Sequence, residues 1–254
     1  MSNTLDIRNL KCYYLTRSTT HPHSIHMINL GKKIGFKKII PVICPNADAN
    51  DISSQTAVAL GHAKIIETVL CSEDTFEPFI LFEDDINLWP DGRKEDQFKI
   101  TYPVDTDSIY IGISNAGAHE SGYCDEYNSL LYKHDPRYPN LMWIWNMLST
   151  HAVVVLTKQF ALFYMRAAIE SINHDSVMDN LVSRGQTKYN VMALARPIFF
   201  QDARINGQEE STKIDFSKSN STITDERFNS WIKKIDWEDY HKLKTISHIP
   251  VVKK

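Results

Sequence analysis

The feature that most constrains the fold is a short apolar run that leads directly into three acidic residues. Residues 78–86 read Pro-Phe-Ile-Leu-Phe-Glu-Asp-Asp-Ile. A run of this length is typical of a strand buried on both faces of a parallel sheet. Ligands bind beyond the carboxyl ends of the strands in open α/β sheets, so Glu83, Asp84 and Asp85 are predicted at a ligand-binding edge.

The three carboxylates repel one another unless a cation lies among them. Mg²⁺ and Mn²⁺ prefer oxygen ligands and usually bind together with a phosphorylated substrate. Because side chains alternate along an extended chain, Glu83 and Asp85 share one face and Asp84 points to the other. Glu83 and Asp85 are therefore predicted to hold Mn²⁺ or Mg²⁺. The alternative is a solvated acidic turn that follows a core strand.

The composition is that of an ordinary soluble globular protein. The chain has 254 residues, 43% hydrophobic and 23% charged, with a formal net charge of -3. Without a large basic footprint, nucleic acid is not expected as a partner, although it is not excluded as a substrate. The four cysteines show no C-x-x-C pair and no zinc spacing, so buried free thiols are expected. No transmembrane or leader-like segment is recognised, and we expect a cytoplasmic protein, of a cell or of an infected host.

Strand-like and helix-like segments alternate along most of the chain. Besides the acidic strand, strands are predicted at residues 10–15, 38–44, 108–113 and 151–156, helices at 23–35, 53–70 and 158–169, and a last apolar segment at 191–200. Gly35 is predicted to end the first helix, and Pro41 indicates an edge position for the second strand. Repeated βα units imply an α/β fold with a doubly wound, mainly parallel sheet and helices on both faces. One domain is predicted over residues 1–254.

Two regions interrupt this alternation. The segment 115–147 is long, polar and rich in Tyr and Trp, which favours a loop that covers a bound substrate. A small packed subdomain is the alternative. Residues 224–254 are predicted to form an amphipathic helical segment followed by a basic tail.

Several segments, taken in order, resemble glycosyltransferase family 25, which includes the lipooligosaccharide and procollagen galactosyltransferases. The resemblance covers roughly residues 10–202 and lies in Tyr14-Leu15-Thr16-Arg17, residues 57–62 (Ala-Val-Ala-Leu-Gly-His), residues 80–86, Ile109-Tyr110-Ile111-Gly112, residues 149–154 (Ser-Thr-His-Ala-Val-Val), and Asp179 followed by Pro197 and Gln201. The chain departs from the family at Gly61, where Ser is usual, and at Thr16, where Asp is common. Residues 115–146 do not align.

The resemblance implies a GT-A-like fold and a metal-dependent, inverting transfer of a hexose, galactose or glucose, from a nucleotide diphosphate sugar such as a UDP-hexose. The acceptor would be a hydroxyl of a glycan or a hydroxylated protein. The acid-x-acid pair of Glu83 and Asp85 matches the family's arrangement for Mn²⁺ or Mg²⁺. Asp179 matches the position of the general base, and Asp175 is the alternative. Either acid is also typical of a helix start.

The other candidate positions are assigned to substrate binding: Thr16, Arg17, His62, Asp84, Asn115, His151 and Gln201. Each has a structural alternative. Arg17 is suited to a phosphate but is equally typical of a solvated strand end, and a lone helical histidine such as His62 is more often structural. Gln201 is suited either to substrate or to a loop backbone.

Two other enzyme classes require motifs that the first strand does not carry. A haloacid dehalogenase-type phosphatase needs Asp-x-Asp on its first strand, where this chain has Thr16-Arg17. A dinucleotide-dependent oxidoreductase needs a glycine-rich turn, which the first strand lacks. A non-catalytic sugar-binding or scaffold protein of the same fold, and a transferase that acts on a modified nucleic-acid base, remain alternatives.

Overall fold

A computed structural model describes residues 1–72, 75–89, 95–113, 131–174 and 177–207. The strands are β1 (Ser2–Asp6), β2 (Lys11–Thr16), β3 (Lys38–Ile43), β4 (Phe79–Phe82), β5 (Ile86–Leu88), β6 (Lys99–Pro103), β7 (Ser108–Tyr110), β8 (Tyr132–Asp135), β9 (Tyr138–Ile144), β10 (Ala152–Val155), β11 (Val191–Leu194) and β12 (Phe199–Gln201). The helices are α1 (Pro22–Ile34), α2 (Ala47–Asn50), α3 (Ser54–Ser72), α4 (Lys158–Asn173) and α5 (Met178–Gly185).

The centre of the fold is an eight-stranded sheet in the order β3-β2-β4-β10-β7-β11-β9-β8. Six of these strands point one way, and β9 and β10 point the other way. Two further antiparallel pairs, β1 with β6 and β5 with β12, form small separate sheets.

The α/β fold is confirmed, but the expectation of a mainly parallel sheet is wrong, because the sheet is mixed. Parallel pairing occurs between β2 and β3, β2 and β4, and β7 and β11, whereas the other four pairings in the large sheet are antiparallel. A tight turn joins β8 to β9 and forces them to be antiparallel. The chain then reaches β10 through residues 145–151, which contain no helix.

Helices cover both faces of the large sheet, as predicted. One face packs against α3, α4 and α5 in a core that includes Ile65, Phe79 and Phe160. The other face packs against α1 and the small sheets in a core that includes Met27, Phe82 and Phe199. Both sides of the central strands are therefore buried, and all four residues of β4 are inaccessible to solvent.

The local signals for the first helices and strands are confirmed. Gly35 ends α1 in the left-handed conformation, with φ of 86°. The hydroxyl of Ser53 accepts a hydrogen bond from the backbone N of Thr56 at 3.0 Å and so caps α3. Pro41 lies in β3, the edge strand of the large sheet.

Other expectations are corrected. The segment at 115–147, expected to be a loop, contains β8 and β9, while residues 114–130 lie outside the described residues. The C-terminal segment at 224–254 also lies outside them. Among the thiols, Cys12 is buried but Cys44 is half-buried and Cys71 is exposed. No helix in the described ranges is both long and apolar enough to span a bilayer.

Candidate active site

A cleft of about 480 Å³ opens at the carboxyl ends of β2, β3 and β4. The chain leaves β2 towards β3 on one side and returns to β4 on the other side, so the cleft lies where the direction of winding reverses. Open α/β sheets bind ligands at this place. The lining includes Thr16 at the end of β2, Cys44 after β3, and Glu83, Asp84 and Asp85 after β4.

The three acids form the turn that joins β4 to β5. The backbone N of Glu83 donates to the carbonyl oxygen of His151 at 3.0 Å, which extends the pairing of β4 with β10. The carbonyl oxygen of Asp85 accepts from the backbone N of Asp202 at 2.8 Å. The turn is thus fixed from two directions at the carboxyl end of an interior strand, where the sequence predicted the acids.

The side chains of Glu83 and Asp85 lie together, and one amide bridges them. The Nε2 of Gln201 donates to Oδ2 of Asp85 at 3.0 Å and lies 3.4 Å from Oε2 of Glu83. The Nδ2 of Asn206 also donates to Oδ2 of Asp85, at 2.9 Å. The other oxygen of Asp85, Oδ1, is buried and has no hydrogen-bond partner among the described residues. This atom is the open acceptor of the cluster.

Asp84 contacts a different element, helix α1. Its Oδ1 lies 3.3 Å from Nδ1 of His23 in α1. His21 is close to both of them: one ligand atom from each of these three residues lies within 4.8 Å of the others.

Asp179 joins the cluster from the first turn of α5. Its Oδ2 accepts from the backbone N of Ser149 at 3.0 Å, and its Oδ1 accepts from the hydroxyl of Thr150 at 3.0 Å. The same hydroxyl lies 3.2 Å from Oε1 of Glu83. Asp179 and Glu83 therefore share one donor, because β10 begins where β4 ends and brings Thr150 between them.

The cluster is electrostatically strained. Burial, together with the charges of Asp85 and Asp179, raises the pKa of Glu83 well above its usual range. Burial also raises the pKa of Asp85, although hydrogen bonds from Gln201 and Asn206 oppose this rise. Burial raises the pKa of Asp179 against the hydrogen bonds from Thr150 and Ser149. Concentrated negative charge of this kind favours a bound cation or a retained proton.

His151 lies beside the cluster at the start of β10. Its Nδ1 contacts the hydroxyl of Ser149, a non-glycine residue with a left-handed backbone (φ of 86°). Its Nε2 is buried without a hydrogen-bond partner among the described residues. Burial lowers the pKa of His151 to about 4, so the ring is neutral near pH 7. A β-carbon at Gly112 would lie 2.4 Å from this Nε2, so the glycine makes room for the ring.

Thr16, the last residue of β2, and Arg17, the next residue, differ in exposure. Thr16 is buried, and its hydroxyl donates to the carbonyl oxygen of Ser18 at 3.1 Å. Arg17 is exposed in the lining of the cleft and forms no hydrogen bond or ion pair with another described residue. Its guanidinium is therefore the cationic group in this lining that is available to an anionic ligand.

His62 does not reach the cleft, so its predicted contact with a substrate is corrected. The ring is fully buried on the inward face of α3, 5.5 Å from the ring of Tyr164. Burial lowers the pKa of His62 to about 3. The neighbouring Gly61 has a packing role, because a β-carbon there would lie 2.5 Å from Sγ of Cys44. The remaining two candidates, Asn115 and Asp175, lie outside the described residues.

Four residues at or beside the site were missed from the sequence. Thr150 was part of a recognised segment, but nothing marked its hydroxyl as a bridge between acids. Asn206 follows the matched segments. The His21-Pro22-His23 sequence, which follows β2 after four residues, was a usable signal, since histidine is the commonest metal ligand.

Comparison with known proteins leaves the family open. No family model matches the chain, and no curated protein matches it. Among solved structures, a nucleoside-diphosphate-sugar pyrophosphorylase from Vibrio cholerae is 12% identical, over 87% of this chain and 80% of that chain, with a TM-score of 0.35. A CTP:phosphocholine cytidylyltransferase from Streptococcus pneumoniae is 10% identical, over 89% and 98%, with a TM-score of 0.38. Both likenesses are too distant to assign a function.

Proposed function

We propose that the protein is an inverting, metal-dependent glycosyltransferase that moves a hexose from a nucleoside diphosphate sugar to an acceptor hydroxyl. One observation carries the proposal: Glu83 and Asp85 line a cleft at the winding reversal of an α/β sheet, and the hydroxyl of Thr150 links Glu83 to Asp179. The proposal agrees with the ordered resemblance to glycosyltransferase family 25 and its GT-A-like fold.

The residues that would hold Mn²⁺ or Mg²⁺ are Asp85 and Glu83. Asp85 offers a buried oxygen without a hydrogen-bond partner among the described residues, and carboxylate oxygens are the ligands that these ions prefer. When bound, the ion would neutralise negative charge on the diphosphate as the bond to the sugar breaks. Gln201 and Asn206 hold the Asp85 carboxylate in place through its other oxygen.

Arg17 is suited to the diphosphate of the donor. It projects into the cleft lining without a partner among the described residues, so it need not give up an existing ion pair to bind a phosphate. Its planar guanidinium matches two phosphate oxygens at once. The donor would thus lie between Arg17 on one side and the acidic turn on the other.

Asp179 is suited to act as the general base. Burial raises its pKa towards the pH at which a carboxylate accepts protons effectively. Its carboxylate takes the proton of the acceptor hydroxyl while the acceptor oxygen bonds to the anomeric carbon. The bond from that carbon to the diphosphate oxygen breaks on the opposite face, and its electron pair leaves with the diphosphate. Ser149 and Thr150 fix the orientation of the carboxylate.

The test is a transfer and hydrolysis assay with a panel of nucleoside diphosphate hexoses, with Mn²⁺ or Mg²⁺ and with chelator. We expect release of the nucleoside diphosphate that depends on the divalent ion and is lost in the Asp85→Asn variant. Glu67→Gln is the control, because Glu67 is an exposed acid of α3 outside the cluster. Ion-independent binding without turnover would instead indicate a non-catalytic sugar-binding protein, and no binding of any nucleoside diphosphate hexose would refute the proposal.

A further inference from the structure

We propose that His21, His23 and Asp84 form a binding site for a first-row transition metal, with Zn²⁺ or Co²⁺ preferred to Mg²⁺. The three side chains are partly buried, and their ligand atoms all lie within 4.8 Å of one another. The inference concerns residues that the proposed transfer does not use as base or as ion ligands, and it does not depend on glycosyl transfer.

The hydrogen-bond geometry around the two ring nitrogens of His23 is the main argument for the site. Its Nε2 lies 3.2 Å from the carbonyl oxygen of Ile205, an atom that can only accept a hydrogen bond. In the neutral ring, Nε2 therefore carries the proton and Nδ1 carries a lone pair. That lone pair faces a carboxylate oxygen of Asp84 at 3.3 Å, so two acceptors oppose each other across a short distance. A cation between them, either a metal ion or a second ring proton, removes the conflict.

The arrangement around His23 favours the metal ion. Histidines that bind metals almost always donate their other ring N–H to a carbonyl or carboxylate, which fixes the tautomer. Ile205 provides that carbonyl from the short helical turn Ala203–Asn206, which also carries Asn206 onto Asp85. The turn therefore supports both the imidazole and the acidic turn.

His21 supplies a second imidazole from the N-cap of α1. Its Nδ1 accepts a long hydrogen bond, 3.3 Å, from the backbone N of His23, so this lone pair must give up that bond before it can bind a metal ion. The two rings meet edge to face, with centroids 4.5 Å apart. Pro22 fixes the backbone between them at the first helical position and limits how far the rings can separate.

The ligand set determines which ion is preferred. Two imidazoles and one carboxylate suit Zn²⁺, Co²⁺ and similar ions, whereas Mg²⁺ prefers oxygen ligands. His23 and Asp84 line the cleft, so a bound ion would add positive charge at its mouth. Glu83 and Asp85, which contact Gln201, offer only oxygen atoms and would not share this preference.

The test uses the whole chain and the metal ions alone. Zn²⁺ binding is measured by calorimetry in excess Mg²⁺. Co²⁺ binding is measured by the visible absorption of the ion, which is strong when Co²⁺ has nitrogen ligands and a low coordination number. We expect a Zn²⁺ site that Mg²⁺ does not displace and that weakens about tenfold or more in His21→Asn, His23→Gln and Asp84→Asn. Asn is itself a good N-cap, so His21→Asn preserves the start of α1.

Two controls make the result decisive. His26→Gln changes a histidine of the same helix whose Nε2 bonds to the carbonyl oxygen of Ile86 at 2.8 Å, outside the ligand set. Glu83→Gln changes the oxygen-only pair. Both variants should keep the Zn²⁺ affinity and the Co²⁺ spectrum. Three results would each overturn the inference and leave an ion pair between His23 and Asp84. The unmodified protein could fail to bind Zn²⁺, His23→Gln could keep the full Zn²⁺ affinity, or Glu83→Gln could lose as much Zn²⁺ affinity as the ligand variants.

Discussion

Asp179→Asn is expected to make the protein more stable and nearly inactive. Asparagine has the same shape as aspartate, and its Oδ1 can keep the bond from the backbone N of Ser149 while its Nδ2 donates to Thr150. The hydroxyl proton of Thr150 is then available to Glu83 alone. The substitution thus removes a negative charge without leaving a buried polar atom unpaired.

The expected gain in the free energy of unfolding is about 1–2 kcal/mol without divalent ions, at a pH where both carboxylates are ionised. One hydroxyl reaches both carboxylates, so their charges lie within about 6 Å, where repulsion at an effective dielectric of about 20 is about 3 kcal/mol. Partial exposure of both side chains to solvent reduces this value. For a protein of this size, each kcal/mol raises the melting temperature by about 2–4 °C.

The gain in the free energy of unfolding caused by Asp179→Asn should depend on pH in a direction set by the pKa shifts. Burial raises the folded-state pKa of Glu83, Asp85 and Asp179, so the folded protein holds protons that the unfolded chain has already released. The stability of the unmodified protein should therefore decrease as the pH rises from the unfolded-state range, about 4, through these raised values. The Asp179→Asn variant should show a smaller decrease.

The assay is thermal unfolding by circular dichroism in chelator between pH 4 and pH 8, with Asp135→Asn as a control of opposite sign. Hydrogen bonds from Arg137 lower the pKa of Asp135 to about 2, so that carboxylate stabilises the fold at neutral pH and its loss should be destabilising. Transfer by Asp179→Asn should fall about a hundredfold or more, with donor binding retained. A less stable Asp179→Asn variant would refute the electrostatic argument. Full transfer activity in this variant would show that another acid is the general base, and Asp175 would be the next candidate.

Three further predictions test the packing and the ion dependence of the site. Gly61→Ser should destabilise the protein by about 1–3 kcal/mol, because its β-carbon would lie 2.5 Å from Sγ of Cys44; adding Cys44→Ala should recover part of the loss in thermal unfolding. Gly112→Ala should displace the ring of His151 and lower transfer activity even at temperatures where the variant is fully folded. A loss of activity that only follows the loss of folded protein would indicate a purely structural role. Asp85→Asn should abolish the dependence of donor binding on Mn²⁺ in calorimetry, and unchanged dependence would show that the ion binds elsewhere.

The first half of the fold was predictable because its signals are local. An apolar run and a glycine stop at Gly35 each act within a few residues, and the structure reproduces both. The direction of β10 was not predictable in this way. Its Ala-Val-Val-Val run is buried on both faces whichever way it points, so the pattern is the same for a parallel and an antiparallel strand.

The same difference between local and long-range signals applies to the candidate site. Glu83, Asp84 and Asp85 are adjacent in the chain and follow a buried apolar run, so their place at the carboxyl end of β4 was predictable. The place of Thr150 between Glu83 and Asp179 depends on the antiparallel register of β10 against β4, which no local pattern encodes. His62 was misplaced for a related reason: a histidine on a helix gives no indication of which face is covered until the neighbouring helix α4 is known.

The reversed strand β10 also affects when the acidic cluster can form during folding. The strand is inserted between β4 and β7, and its partners in β4 are distant in sequence. Contacts between distant segments close slowly because the entropy of the intervening chain must be lost first. Glu83 can meet Thr150 and Asp179 only after β10 has entered the centre of the sheet. Molecules that stop at the stage of β2, β3 and β4 would therefore carry the acidic turn without the residues that orient it, and activity would appear only once the centre of the sheet is complete.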